Sequence, residues 1–197
     1  MFSPTKFSVM DTEAIIKFLA GITNVSQGFI KQLLDVLTPE RYKSHQIIQS
    51  EGQTENRVWY LRSGLARSYI YDLQGQQHTL RFWYEEEVIF SYAGFLKEPS
   101  KEYIELLMES VLYSCTYEKL ELLMRDYPET TQIAAVINRR FLLKEYERNQ
   151  LLTLKTRERY KVFKKQHSVV FTITPLWVIA SYLHMGRENL SRIISDE

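Results

Sequence analysis

The stretch Thr174–Glu197, TPLWVIASYLHMGRENLSRIISDE, decides how this chain is read. Its apolar residues fall into two helical stripes: Val178, Ile179, Tyr182 and Leu183, then Leu190, Ile193 and Ile194. Pro175 suits a first helical turn, where its missing N–H is no loss. Ala180 is small where a second helix must cross closely, and a tight turn joins the two stripes. With the second stripe turned inward, Arg187, Glu188, Ser191 and Arg192 point outward. Arginine pairs bidentately with guanine and glutamate accepts from cytosine N4, so this face suits a major groove. Asn189 or Ser191 stands where a phosphate is held. A helical hairpin whose charges are merely solvated fits the same pattern.

Working outward, the charge is uneven. Residues 138–197 hold 12 Lys/Arg against 6 Asp/Glu, whereas residues 1–137 hold 13 against 18. The net charge of +1 therefore conceals an acidic front and a basic back, as expected of a sensor joined to an anion-binding domain. One basic helix face would give the same count. The lone Cys115 excludes an intramolecular disulfide and a cysteine-ligated iron–sulfur cluster, and fits a reduced, cytoplasmic setting. Neither a signal-peptide pattern nor a run of roughly 20 apolar residues is present, so no membrane partner is expected.

Helical spacing covers Asp11–Leu19 and Ser26–Leu37, with Ser26 as N-cap and Pro39 favouring a stop. From Arg41 to Thr116 the texture changes to short β-like runs between turn signals. These include Ile47-Ile48, Val58–Leu61, Leu65–Tyr71, His78–Tyr84, Val88–Tyr92 and Tyr103–Tyr117. Asp72-Leu73-Gln74-Gly75 reads as a hairpin turn. Strands at this spacing predict a β-sandwich or barrel of the jelly-roll type. Tyr117–Tyr127 returns to helical spacing. A long helix from about Pro128 to Leu154 follows, with Ile133, Val136, Ile137, Phe141, Leu143, Leu151 and Leu154 as its apolar residues. A dimer seam explains such a length, and packing on its own sandwich is the alternative. Thr156 reads as a cap for Arg157–Gln166, and Ser168–Ile173 is short and β-branched.

In this order the parts resemble the CRP/FNR family of bacterial transcription regulators. Two stretches carry the resemblance. Gly52–Gly64, GQTENRVWYLRSG, is similar to the glycine-bounded hairpin of cyclic-nucleotide-binding-type domains. Gly186–Arg192, GRENLSR, resembles the family's recognition helix, with Arg187, Glu188 and Arg192 at its base-reading positions. The resemblance implies an α+β chain in three parts. Residues 1–127 form an N-terminal β-sandwich (a double-stranded β-helix or jelly roll, cNMP-binding-domain-like) with flanking helices. Residues 128–154 form a long dimerisation helix, and 155–197 a C-terminal winged-helix-like helix-turn-helix domain. It also implies a homodimeric, cytoplasmic regulator of transcription that binds double-stranded DNA, with RNA polymerase a candidate partner. The Pro99-Ser100 stretch and the run Ala180–Leu183 resemble a branch common in Bacteroidetes.

The departures concern the nucleotide. Cyclic-nucleotide binders of the family carry a Phe-Gly-Glu-like turn and, about ten residues on, an Arg followed by Ser or Thr that neutralises the cyclic phosphate. Here the segments read Ile89-Phe90-Ser91-Tyr92-Ala93-Gly94 and Pro99-Ser100-Lys101-Glu102-Tyr103-Ile104-Glu105. The ribose-holding Glu and the Arg-Ser pair are absent, and Glu102 and Glu105 bring negative charge. Lys101 offers only a point charge in place of a fork. cAMP is therefore not expected to bind in the usual way. The turn departs as well, with His184 where Gly is usual, at a cost of about 1 kcal/mol if it is left-handed.

The remaining chemistry is sparse. His45, His78, His167 and His184 lack metal-ligand spacing, and no nucleophile elbow, phosphate loop or dinucleotide fingerprint appears, so neither an enzyme nor a cofactor is expected. The 13 Tyr, 10 Phe and 3 Trp exceed what a core of this size needs. Some of the β-region aromatics are candidates to line an effector pocket, with Arg81, Ser91, Tyr92 and Lys101 as its polar residues. Two functions stay open: a DNA-binding regulator under a small-molecule effector other than cAMP, and a ligand-binding module whose helix-turn-helix serves protein contacts.

Overall fold

Residues 9–196 are described by the computed structural model. Between Thr38 and Thr116, β-branched and aromatic runs separated by Gly and Asp turns form β1 (Thr38–Tyr42), β2 (Ile47–Gln49), β3 (Arg57–Ser63), β4 (Ala66–Tyr71), β5 (Gln77–Trp83), β6 (Glu87–Ile89), β7 (Tyr103–Leu106) and β8 (Ser110–Thr116). They pair antiparallel in two four-stranded sheets, ordered β1-β8-β3-β6 and β2-β7-β4-β5. First strand beside eighth and second beside seventh is the jelly-roll arrangement. Two turns show why it closes here. Asp72 Oδ1 accepts from the amides of Gln74 and Gln76, both at 2.9 Å, and ties the β4–β5 hairpin. At Gly64, φ is +127°, and a Cβ would sit 2.1 Å from Ser110 Oγ, so only glycine fits.

The strand alternation sorts the residues into two layers. Trp59, Leu61, Trp83, Ile104, Leu106 and Leu112 fill the interior of the roll. Tyr60, Tyr113 and Cys115 face outward from the β1-β8-β3-β6 sheet, beneath α1 (Val9–Ala20), α2 (Gln27–Val36), α4 (Tyr117–Asp126) and the start of α5 (Pro128–Thr153). Ser26 caps α2 as expected, accepting from the Phe29 amide at 3.1 Å, and its hydroxyl also donates to Glu129 on α5 at 2.6 Å.

The structure differs from the sequence reading in several elements. Pro39 ends the helix but also lies in β1, an edge strand, where a missing N–H does no harm. The expected strand Val88–Tyr92 is cut to β6, and Tyr92–Phe95 forms the short helix α3, capped by Ser91. Tyr103–Tyr117 divides into β7 and β8. Beyond α5 come α6 (Thr156–Gln166), α7 (Ser168–Ile173), α8 (Leu176–Tyr182) and α9 (Arg187–Ser195). Thr156 is the first residue of α6, not its cap. Despite its β-branched residues α7 is helical because Val170 is drawn into the core, where packing outweighs propensity. No strand follows Thr116 among the described residues, so the expected winged-helix-like character is not met: the segment is wholly helical.

Helices α6–α9 share a core with the roll. Leu65, Phe82 and Leu107 belong to the same buried cluster as Tyr160, Phe163, Val178, Leu183 and Leu190. Helix α8 lies on β5. The Ser181 hydroxyl accepts from the Thr79 amide at 2.8 Å and donates to the Gln77 carbonyl at 2.9 Å. Trp177 covers the Arg67 guanidinium, 4.9 Å from its ring centre.

Candidate nucleic-acid interface and ligand cavity

The turn before α9 is a Schellman closure. Met185 N donates to Ala180 O at 3.0 Å and His184 N to Ser181 O at 3.1 Å, with His184 left-handed at φ +48°. A residue with a Cβ is costly there, and two arginines brace it. Arg159 on α6 donates to Leu183 O at 2.6 Å and to Leu152 O and Leu154 O, each at 2.9 Å, tying the turn to the end of α5. Arg148 Nη2 lies 3.2 Å from His184 Nε2. Burial, then the charges of Arg148, Arg159 and His78, lower the imidazole's pKa, so it stays a neutral acceptor.

Helix α9 then presents one open face. Leu190 is fully buried and Ile193 nearly so, while Arg187, Glu188, Ser191 and Arg192 are exposed. These four share a face as the spacing predicts. Asn189 is half-buried and accepts from Arg192 Nη2 at 3.2 Å, so it steadies that arginine. On α6, Lys161 and Lys165 are exposed, and Arg157 pairs with Asp196 at 3.5 Å.

The four residues expected to line an effector pocket are not brought together. Arg81 pairs with Glu145 of α5 at 2.5 Å and lies 3.3 Å from the Phe141 ring centre. Burial lowers the Arg81 pKa and Glu145 opposes the shift. Ser91 is buried as the α3 cap, with its amide and carbonyl both bound by the Tyr117 hydroxyl, at 3.0 and 2.8 Å. Gly94 lies within α3, and a Cβ there would lie 2.2 Å from the Glu55 carbonyl oxygen. Tyr92 is half-exposed and donates to Asn138 at 2.5 Å, and Lys101 is exposed. Ser100 is buried, with its hydroxyl engaged by Gln49 at 2.7 Å and Glu102 O at 2.8 Å. Burial pushes the Glu102 carboxyl up, against the Ser68 hydrogen bond and the Arg81 charge.

A cavity of about 300 Å³ lies instead outside the roll, between the β1-β8-β3-β6 sheet and helices α1, α2, α4 and α5, with Tyr92 and Phe95 of α3 at its side. Sequence reasoning missed it. The stripes of α1 and α2 were legible as core faces, but periodicity does not say whether a core is filled.

The cyclic nucleotide-binding domain family matches residues 39–127. No curated protein matches the chain. FixK2 from Bradyrhizobium japonicum is 18% identical, with a TM-score of 0.71 over 82% of this chain and 84% of that one. A CRP/FNR-family transcriptional regulator from Thermus thermophilus is 18% identical, with a TM-score of 0.63 over 80% and 84%. The catabolite activator protein of Thermus thermophilus is 18% identical, with a TM-score of 0.55 over 91% and 85%. Residues 39–127 are therefore similar to the cyclic nucleotide-binding domain family, and the chain shares its fold with solved structures that include a CRP/FNR-family transcriptional regulator.

Proposed function

We propose that the chain is a sequence-specific, DNA-binding transcriptional regulator that acts as a cytoplasmic homodimer, and not an enzyme. One observation carries this reading: α9 sets Arg187, Glu188 and Arg192 on an open face while Leu190 and Ile193 lock its other side into the core. In a dimer built on α5, two such helices enter successive major grooves about 34 Å apart. Lys161 and Lys165 supply phosphate contacts, so binding weakens steeply with salt. Neither the nucleotide of the usual mode nor any cofactor is assigned to it. Near the expected phosphate, Arg81 is already neutralised by Glu145 and Ser100 is spent on Gln49 and Glu102. The Pro99-Ser100 and Ala180–Leu183 runs support the Bacteroidetes-type branch, and RNA polymerase is a candidate second partner.

Selection of bound genomic fragments with the purified protein tests the reading and supplies the operator. On the selected site, Arg187→Ala and Arg192→Ala are each expected to cost about 1–3 kcal/mol and to relax preference at one base. If both variants bound target and random DNA like the parent, α9 would not be the reading helix. The reading in which the helix pair serves protein contacts would then take its place.

A further inference from the structure

Arg192 sits between two carboxylates. Glu188 lies four residues before it, and Asp196, at the end of α9, four residues after. Residues four apart adjoin on a helix surface, and an acidic residue ahead of a basic one is the favourable order for an ion pair. Neither pair forms among the described residues. Asp196 turns to Arg157 of α6 at 3.5 Å, and Arg192 Nη2 donates to Asn189 Oδ1 at 3.2 Å. A guanidinium only donates, so the amide meets it through oxygen. Asn189 is half-buried beside the fully buried Leu190, whereas Glu188 and Arg192 are exposed, so the asparagine is the better-held member of the group.

We infer that Asn189 is a positioning residue for base recognition: it draws Arg192 away from Glu188, so that the guanidinium meets a guanine and the carboxylate accepts from a cytosine, a role that rests on α9 reading DNA as proposed above. Paired with each other, the two side chains would cancel charge and spend the donors and lone pairs that base edges need. The asparagine takes one Nη2 hydrogen only, which leaves the end-on fork of Nη1 and Nη2 for guanine O6 and N7. Holding the arginine before DNA arrives also lowers the ordering cost of the contact.

The full chain and its variants are titrated with a duplex of the selected operator, and with duplexes that carry each other base at the position Arg192→Ala relaxes. The readout is the affinity ratio between the selected base and the others. Arg192→Ala is expected to lower the ratio about tenfold or more. Asn189→Ala is expected to lower it about two- to fivefold, and to lower it no further in the Arg192→Ala background. Asn189→Asp keeps the oxygen that holds Arg192 and adds negative charge. It should bind every duplex more weakly yet keep the parent's ratio within about twofold. If Asn189 held a phosphate instead, Asn189→Ala would weaken all duplexes equally, with a shallower salt dependence and an unchanged ratio, and the role would fall. Equal loss of the ratio in Asn189→Asp and Asn189→Ala would overturn it as well. In the free chain, NMR relaxation of the Arg192 Nε–Hε group should show greater mobility in Asn189→Ala than in the parent, and equal mobility would overturn the role without DNA. An Arg192→Ala protein that discriminates like the parent would instead remove α9 as the reading helix, so the two failures are told apart.

Discussion

At the scale of single residues, His167 shows how a buried imidazole becomes a pH-dependent tie. The Tyr84 hydroxyl meets its Nδ1 at 2.7 Å, and the Tyr84 and Phe163 rings lie 5.3 and 4.8 Å from it. Burial first, then the Lys144 charge, pushes its pKa down to about 4. The unfolded chain holds its histidines near about 6.5 and so takes up the proton first as pH falls. Its contribution to stability is complete above about pH 6.5 and is lost progressively toward pH 4. His184 is lowered in the same direction. Melting temperatures read between about pH 7.5 and 5, above most carboxylate titration, should therefore fall more steeply for the parent than for His167→Asn. Parallel curves for the two proteins would mean that His167 is not held neutral by its surroundings.

At the scale of elements, α5 has two unlike sides. Ile133 and Leu151 are buried, while Leu142, Leu143 and Tyr146 are 55%, 52% and 60% exposed and adjoin one another on the helix surface. Three large apolar side chains in one patch on a 26-residue helix are the surface on which the proposed dimer would be built. Sedimentation of the parent at micromolar concentration should give a dimer, and Leu142→Glu combined with Tyr146→Glu a monomer of unchanged helix content. A parent that stays monomeric at tens of micromolar would remove the seam. The same helix marks how far the sequence could be read. Its span was legible to within one residue because Pro128 fixes its start. The strands were legible wherever Gly or Asp punctuated them. Helix α3 was not, because Ser91–Phe95 is too short to show a period and looks like the end of a strand. On the exposed side of α9 the residues were legible from their spacing to the buried Leu190 and Ile193. Arg81 was not: its role depends on Glu145, 64 residues away, and pairing across such a gap leaves no local signal.

At the scale of the molecule, the chain order suggests parts that fold separately, but the packing joins them. Phe82 of β5 is 4% exposed and sits between the two halves, its ring 5.0 Å from Tyr182 of α8 and 6.3 Å from Phe163 of α6. Beside it, Ser181 satisfies two backbone groups of β5, and Arg148 reaches the Thr79 carbonyl at 3.4 Å from α5. Helices α6–α9 expose this apolar surface if they leave the roll, and the Thr79 amide and Gln77 carbonyl lose a partner. Burial of that kind couples the two halves into one cooperative unit, in which the helices stay folded as long as they are held on the roll. Calorimetry of the parent should therefore show one transition, with equal calorimetric and van't Hoff enthalpies per folding unit. Phe82→Ala removes the central ring at a cost of about 3–5 kcal/mol, and because the lost contacts lie between the halves, it should split the transition in two. The helical half should melt first, since its remaining core is the smaller. Two resolved transitions already in the parent would show that the halves are independent and that α8 does not depend on β5 for its stability.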